Sequence, residues 1–150
     1  TVRAIRHRRE MGVMKLISVI QGTGYAPGRA EGEALVADTR ISFWGGFDPK
    51  SGRIVQDGPL EGQSAAGKIL VFRSTKGSSG TSGMVAIAKR GGLHPLAFVN
   101  TEVDCMAALA CIVCEIPMIA DLDRDPFTII RNGDYLRLDG DKGTIEVYRK

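Results

Sequence analysis

The stretch Lys76-Gly77-Ser78-Ser79-Gly80-Thr81-Ser82-Gly83 constrains this chain more than any other. Seven of its eight residues are Gly, Ser or Thr, and it separates a strand-like run, Lys68-Ile-Leu-Val-Phe-Arg73, from a helix-like run, Met84-Val-Ala-Ile-Ala-Lys-Arg90. A glycine-rich turn between a strand and a helix leaves the first helical N–H groups without intrahelical partners, at the positive end of the helix dipole. Two readings follow. The loop holds an anion, or keeps a serine hydroxyl exposed and helps it carry negative charge. Alternatively, its hydroxyl residues cap the helix and its glycines punctuate a turn. The segment alone does not choose between them.

A chain of 150 residues fits one domain with a core of its own. Charged residues make up 25%, as in an ordinary soluble globule, and no apolar run approaches the ~20 residues of a membrane helix. No membrane partner is expected. The net charge of +3 sits in the first thirteen residues, where Arg3, Arg6, Arg8 and Arg9 face only Glu10. The rest of the chain carries 16 basic and 16 acidic groups. It offers no basic stripe, which argues against nucleic acid as a partner. The arm Thr1–Arg9 has no apolar segment of the kind a secretory signal needs. We read residues 1–13 as a disordered basic extension, an upstream-start artefact without function. The domain then spans 14–150 and opens with the strand-like Lys15-Leu-Ile-Ser-Val-Ile20.

Cys105, Cys111 and Cys114 are odd in number and lie within ten residues. That argues against a disulfide scaffold and for a reducing, cytoplasmic setting. Cys111-Ile-Val-Cys114 has the spacing of a metal or iron–sulfur site. Its surroundings, Asp104 to Glu115, are a helix pattern of small and apolar residues in which free cysteine serves as a small buried hydrophobe. Three thiolates would still need a fourth ligand, and no histidine lies nearby. All three are expected in the core, and no metal ligand is expected on this chain.

Along the chain, Ala34–Ala37 and Ile41–Trp44 read as strands, and Phe47-Asp-Pro-Lys-Ser-Gly52 as a turn. Helix Met84–Arg90 stops at Gly91-Gly92. Pro95–Asn100 is a strand, Val103–Val113 a helix and Ile116–Ala120 a strand. Tyr135–Asp139 and Thr144–Tyr148 alternate apolar and polar residues around Gly140-Asp-Lys-Gly143, the pattern of a closing hairpin. The middle alternation implies a short parallel βαβ core with a further β layer, an α/β fold. Phe43 and Trp44 are expected in the core, and Asp48 is read as a turn-former.

Two further stretches join the serine loop: Ala30-Glu-Gly-Glu-Ala-Leu-Val36 with Ile41-Ser-Phe-Trp-Gly-Gly-Phe-Asp-Pro49 and Gly52, and Pro59-Leu-Glu-Gly-Gln-Ser-Ala-Ala-Gly-Lys-Ile-Leu-Val71 leading to Lys76-Gly77-Ser78. With Glu115-Ile-Pro-Met118 and Gly133-Asp134, this series resembles the small subunit, or swivel domain, of the aconitase X family over roughly residues 15–148. The resemblance implies a swivelling β/β/α domain like the fourth domain of aconitase. It implies a hydro-lyase subunit, active only against a larger catalytic subunit that carries iron or an iron–sulfur cluster. Small carboxylated substrates follow: cis-3-hydroxy-L-proline or mevalonate 5-phosphate. In such proteins the serine after Lys-Gly is the catalytic base, which makes Ser78 the candidate here.

A serine hydroxyl is a feeble base unless its alkoxide is stabilised. The loop N–H groups, Lys76 and the helix N-terminus would favour an oxyanion. Lys76, Gly77, Ser79, Arg73, Gly45 and Gly46 are the candidate substrate-binding residues. Arg73 grips a carboxylate or forms a surface ion pair, and both readings stay open. A hydrolase-type Ser–His pair is poorly supported, since the only histidines are His7 and His94 and Gly-x-Ser-x-Gly is missing. A Walker A reading fails because no Lys-Ser or Lys-Thr follows the glycines. With only Lys76 and Arg73 near the loop, hydroxyproline is the expected substrate and mevalonate 5-phosphate the alternative. A non-catalytic anion-binding or regulatory module is the rival outside the enzyme class.

Overall fold

The computed structural model describes residues 13–150. The arm expected over 1–13 therefore lies outside the described residues, Val13 excepted. The strands are β1 (Lys15–Gln21), β2 (Thr23–Ala26), β3 (Arg29–Val36), β4 (Arg40–Ile41), β5 (Phe47–Asp48), β6 (Arg53–Ile54), β7 (Ile69–Phe72), β8 (Ser74–Thr75), β9 (Ala97–Asn100), β10 (Met118–Ala120), β11 (Tyr135–Asp139) and β12 (Thr144–Arg149). The helices are α1 (Thr81–Arg90), α2 (Cys105–Cys114) and α3 (Pro126–Ile129).

Eight strands run in the order β1-β12-β11-β3-β7-β9-β10-β2. Strand β3 changes partners along its length. Arg29–Glu33 pairs antiparallel with β11, while Ala34–Val36 pairs parallel with β7. β7, β9 and β10 continue the parallel run, and β2 closes it antiparallel to β10. Only Gly22 separates β1 from β2, and its N–H donates to the Gly143 carbonyl at 2.7 Å. The chain thus steps from one edge of the ladder to the other, so the sheet folds over on itself. The approach is close. A Cβ on Gly24 would lie 1.8 Å from the Gly140 carbonyl oxygen.

Two cores result. Ile20, Ile69, Val71, Val99, Leu136, Ile145 and Val147 fill the space between the two sheet layers. Leu70, Phe72, Phe98 and Met118 point the other way and pack against Val85 and Ala88 of α1 and Ala107, Ala110 and Cys111 of α2. A strand covered on both faces reads as an unbroken apolar run, which is why Ile69-Leu-Val-Phe72 shows no alternation. The layering is β/β/α, as expected.

The structure corrects several local readings. The expected strand Ile41–Trp44 pairs only through Arg40–Ile41, with β8, and Ser42–Gly46 turns away. Side chains compete with the ladder there. Ser42 Oγ donates to the Trp44 carbonyl at 2.7 Å, and Gln56 Oε1 accepts the Ser42 N–H at 2.8 Å. Phe43 is fully buried against Phe47, Phe72 and Phe98, but Trp44 is 62% exposed and so is not a core residue. The expected turn at Phe47–Gly52 is the bend of the β5–β6 hairpin. Asp48 holds it by accepting from Lys50 N and Ser51 Oγ, and these bonds keep its carboxyl below the usual range. Helix α1 starts three residues earlier than its apolar pattern indicates. Cys111 and Cys114 are buried as expected, whereas Cys105, on the first turn of α2, is exposed. No helix among the described residues is long and apolar enough to cross a membrane.

Candidate active site

Ligand sites of parallel sheets lie at the C-terminal ends of the strands, and beyond that end of β7 the chain passes through β8 into the serine loop. Gly77 sits at φ 78°, in the left-handed region where a side chain is strained. That twist turns the chain toward the head of α1. Ser78 is half-buried, and its Oγ accepts the Gly80 N–H at 3.1 Å. Its carbonyl accepts from Thr81 N at 3.1 Å and Thr81 Oγ1 at 2.7 Å. The N-cap position is Gly80, and no side chain caps the helix. Of the features that the sequence offered for this loop, the glycine turn is present at Gly77 and side-chain capping of the helix is not. The serine hydroxyl instead meets a backbone donor at the positive end of the helix, an arrangement that stabilises negative charge on Oγ.

Beside it lies a residue that the sequence pattern misassigned. A Cβ on Gly80 would fall 2.6 Å from Cε3 of Trp44 and 3.4 Å from Ser78 Oγ, so the exposed indole and the hydroxyl flank the same glycine. A tryptophan next to Gly45-Gly46 in a turn-rich stretch was the available signal. The two glycines differ. Gly45, at φ 92°, faces open space. Gly46 is packed inward, where a Cβ would lie 2.5 Å from both the Ser42 carbonyl and Gln56 Oε1. Gln56 secures this loop, with Nε2 donating to the Arg40 carbonyl at 2.8 Å.

Arg73 is held at the surface. Its Nε and Nη2 donate to Asp38 Oδ1 at 3.0 and 2.8 Å, and Nε lies 3.8 Å from Glu102. Glu102 also pairs with Arg40 at 3.0 Å. This is the ion-pair arrangement of the two left open for Arg73. Lys76 and Ser79 are exposed on the loop, and Lys76 has no ion pair among the described residues. His94 follows the far end of α1, a ten-residue helix about 15 Å long, so it does not reach Ser78. Burial, with Lys89 nearby, lowers its pKa.

The iron centre implied by the resemblance finds no fitting donors here. No three His, Cys, Asp or Glu side chains among the described residues come together to hold a metal. Cys111 packs inside the helix-facing core, and burial pushes its thiol pKa up. Cys114 Sγ donates to the Ser82 carbonyl at 3.8 Å, and its pKa is likewise raised by burial. A concavity of about 390 Å³ lies on β3, β11 and β12 away from this loop. Its Arg29 and Arg137 are paired with Asp139 and Glu31.

Residues 19–147 match the model of the aconitase X swivel domain. The phosphomevalonate dehydratase small subunit of Methanococcoides burtonii is 38% identical over 123 residues, covering 81% of this chain and 90% of that relative. The small subunit of the same name from Archaeoglobus fulgidus is 37% identical over 120 residues, covering 80% and 91%. The crystal structure of Thermococcus kodakaraensis aconitase X in its holo form superposes with a TM-score of 0.81 at 33% identity, over 87% of this chain and 98% of that one. With the β/β/α layering and the serine loop heading α1, these likenesses show that the chain belongs to the aconitase X family, as its swivel domain, in a dehydratase subunit.

Proposed function

We propose that this subunit works with a large subunit to dehydrate mevalonate 5-phosphate, and that Ser78 Oγ is the base that removes the proton beside the substrate carboxylate. The observation that carries the assignment is the Gly80 N–H bonded to Ser78 Oγ at 3.1 Å. Oγ, as its alkoxide, takes the proton, and the C–H electron pair becomes the new C=C bond. The hydroxyl on the next carbon departs with the C–O bonding pair, and the proton taken up by Oγ is handed on to it, so that water leaves and the alkoxide is restored. Lys76, Gly77, Ser79 and Gly45 form the substrate-facing rim, while Gly46 is buried behind it and leaves the expected set. The iron centre belongs to the large subunit in this proposal, and the complex works in the cytoplasm.

The order of the two substrates is the reverse of that expected from the sequence. Hydroxyproline rested on counting cations near the loop, and no relative reported above is named for that substrate. The relatives from two archaea are named for phosphomevalonate. Because Asp38 and Glu102 engage Arg73, Lys76 is this chain's cation for a phosphate, and the large subunit supplies the rest. Steady-state assays of the reconstituted complex on both substrates test the choice. Turnover of mevalonate 5-phosphate with none of cis-3-hydroxy-L-proline is expected, and the opposite preference would refute it.

A further inference from the structure

The geometry points to Asp104 as the positioning residue for the Ser78 loop, acting through the hydroxyl of Thr75; this rests on the reading of Ser78 as the base. Asp104 is the N-cap of α2, and its Oδ1 accepts the Met106 N–H at 3.0 Å. Capping needs only one carboxylate oxygen. The other, Oδ2, accepts from Thr75 twice, from its N–H at 2.7 Å and from its Oγ1 through a short contact. Thr75 lies 29 residues earlier in the chain and is 5% exposed. Its hydroxyl has one proton, and that proton goes to Asp104. A lone pair on the same oxygen accepts the Gly77 N–H at 3.2 Å. The result is a directed chain, Gly77 N–H to Thr75 O–H to Asp104 carboxylate, in which each bond polarises the next.

The chain ends on the residue immediately before Ser78. Gly77 holds a left-handed backbone at φ 78°, and where its plane is fixed decides where Ser78 Oγ projects. Because α2 packs on the same sheet face as α1, the Asp104 carboxylate ties the loop's root to the neighbouring crossover. A carboxylate is required. It is acceptor-only with two oxygens, and here it takes three donors. An Asn at 104 would turn its NH₂ onto either the Met106 N–H or the Thr75 donors.

The test uses the complex with its large subunit. Thr75→Val removes the relay hydroxyl at nearly constant shape, and Thr75→Ser restores it. Misplacing a reacting group by about 1 Å costs up to ~10²-fold in rate. Thr75→Val is therefore expected to lower kcat at least fivefold with KM within about threefold, while Thr75→Ser stays close to the unmodified complex. If Thr75→Val does not assemble, Thr75→Ala removes the same hydroxyl and replaces it in the comparison. Asp104→Asn combined with the Thr75 variant should lose no more than the worse single change, since the two residues act as one relay. A loss below fivefold, a Thr75→Ser complex as impaired as Thr75→Val, or multiplying losses in the double variant would each overturn the proposal. Ser78→Ala measured alongside separates the two readings. If it is inactive while Thr75→Val is normal, only the positioning role fails; if it is active, the serine base itself falls.

Discussion

The indole of Trp44 rests against Gly80, so closely that a Cβ at position 80 would lie 2.6 Å from ring atom Cε3. Gly80 has φ −75° and ψ −9°, a conformation any residue adopts. The glycine is therefore needed for space, and not for backbone freedom. Gly80→Ala should displace either the ring or the serine loop, lowering kcat of the complex about tenfold or more by the positional argument above. Trp44→Ala in the same chain should give back much of that loss by vacating the contact. Kinetics of the two single variants and the double settle it. A double variant no better than Gly80→Ala would show that the ring is not what the new methyl meets.

Ser78→Ala separates chemistry from folding. The side chain is half-buried and its one hydrogen bond is local, so stability should change by about 1 kcal/mol or less. Loss of a general base costs roughly 10²–10⁴ in rate. The expected signature is an intact complex, a nearly constant Tm and a collapsed kcat. Ser79→Ala and Ser82→Ala should be much milder. Near-normal turnover by Ser78→Ala with a dead Ser79→Ala would move the base by one residue.

Acid should weaken the fold through Asp134. Burial alone would raise its pKa. The Arg149 guanidinium, bonded at 2.7 and 2.9 Å, and the Arg131 N–H at 2.9 Å outweigh burial and hold it below the usual carboxylate range. A pKa lowered on folding contributes stability that is complete above the ordinary carboxylate pKa, and that contribution disappears as pH falls through the folded value. Asp134→Asn should therefore cost about 1.5–3 kcal/mol near pH 7, and its deficit should shrink below about pH 4. Thermal melts of both chains from neutral to acid pH measure this. A gap that stays constant over that range would remove Asp134 as the cause.

The three thiols should differ sharply in reactivity. Cys105 is exposed, while burial raises the pKa of both Cys111 and Cys114. The thiolate is the reactive form. An aromatic disulfide reagent should thus modify one cysteine of the free subunit quickly and the other two only on unfolding. Replacing all three with Ala should leave the iron content of the complex unchanged. Loss of iron would place a ligand on this chain.

Much of the fold was legible because it is written locally. The unbroken Ile69–Phe72 run, the glycine-rich loop, the helix patterns after it and the Tyr135–Asp139 and Thr144–Tyr148 alternation each depend on residues a few positions apart. The same holds for the Lys-Gly-Ser stretch that picks out Ser78, and for the family resemblance built from such stretches in order. Short elements without a strong period, such as β2 and α3, escaped this reading.

What the sequence determined by itself was the order of the longer elements and the loop that carries the candidate base. Tertiary structure alone decided how distant pieces meet. Phe43 and Trp44 are adjacent aromatics, and the turn held locally by Ser42 Oγ on the Trp44 carbonyl and, from fourteen residues away, by Gln56 on Ser42 N–H puts one in the core and leaves the other beside Gly80. Arg73 finds Asp38 at a separation of 35 residues, and Thr75 finds Asp104 at 29. The step through Gly22 that closes the sheet needs Gly143 from the far end of the chain. Propensity and periodicity act over one or two turns of backbone. Which hydroxyl, guanidinium or indole shares a site is set by packing between elements, where no local pattern records the partner.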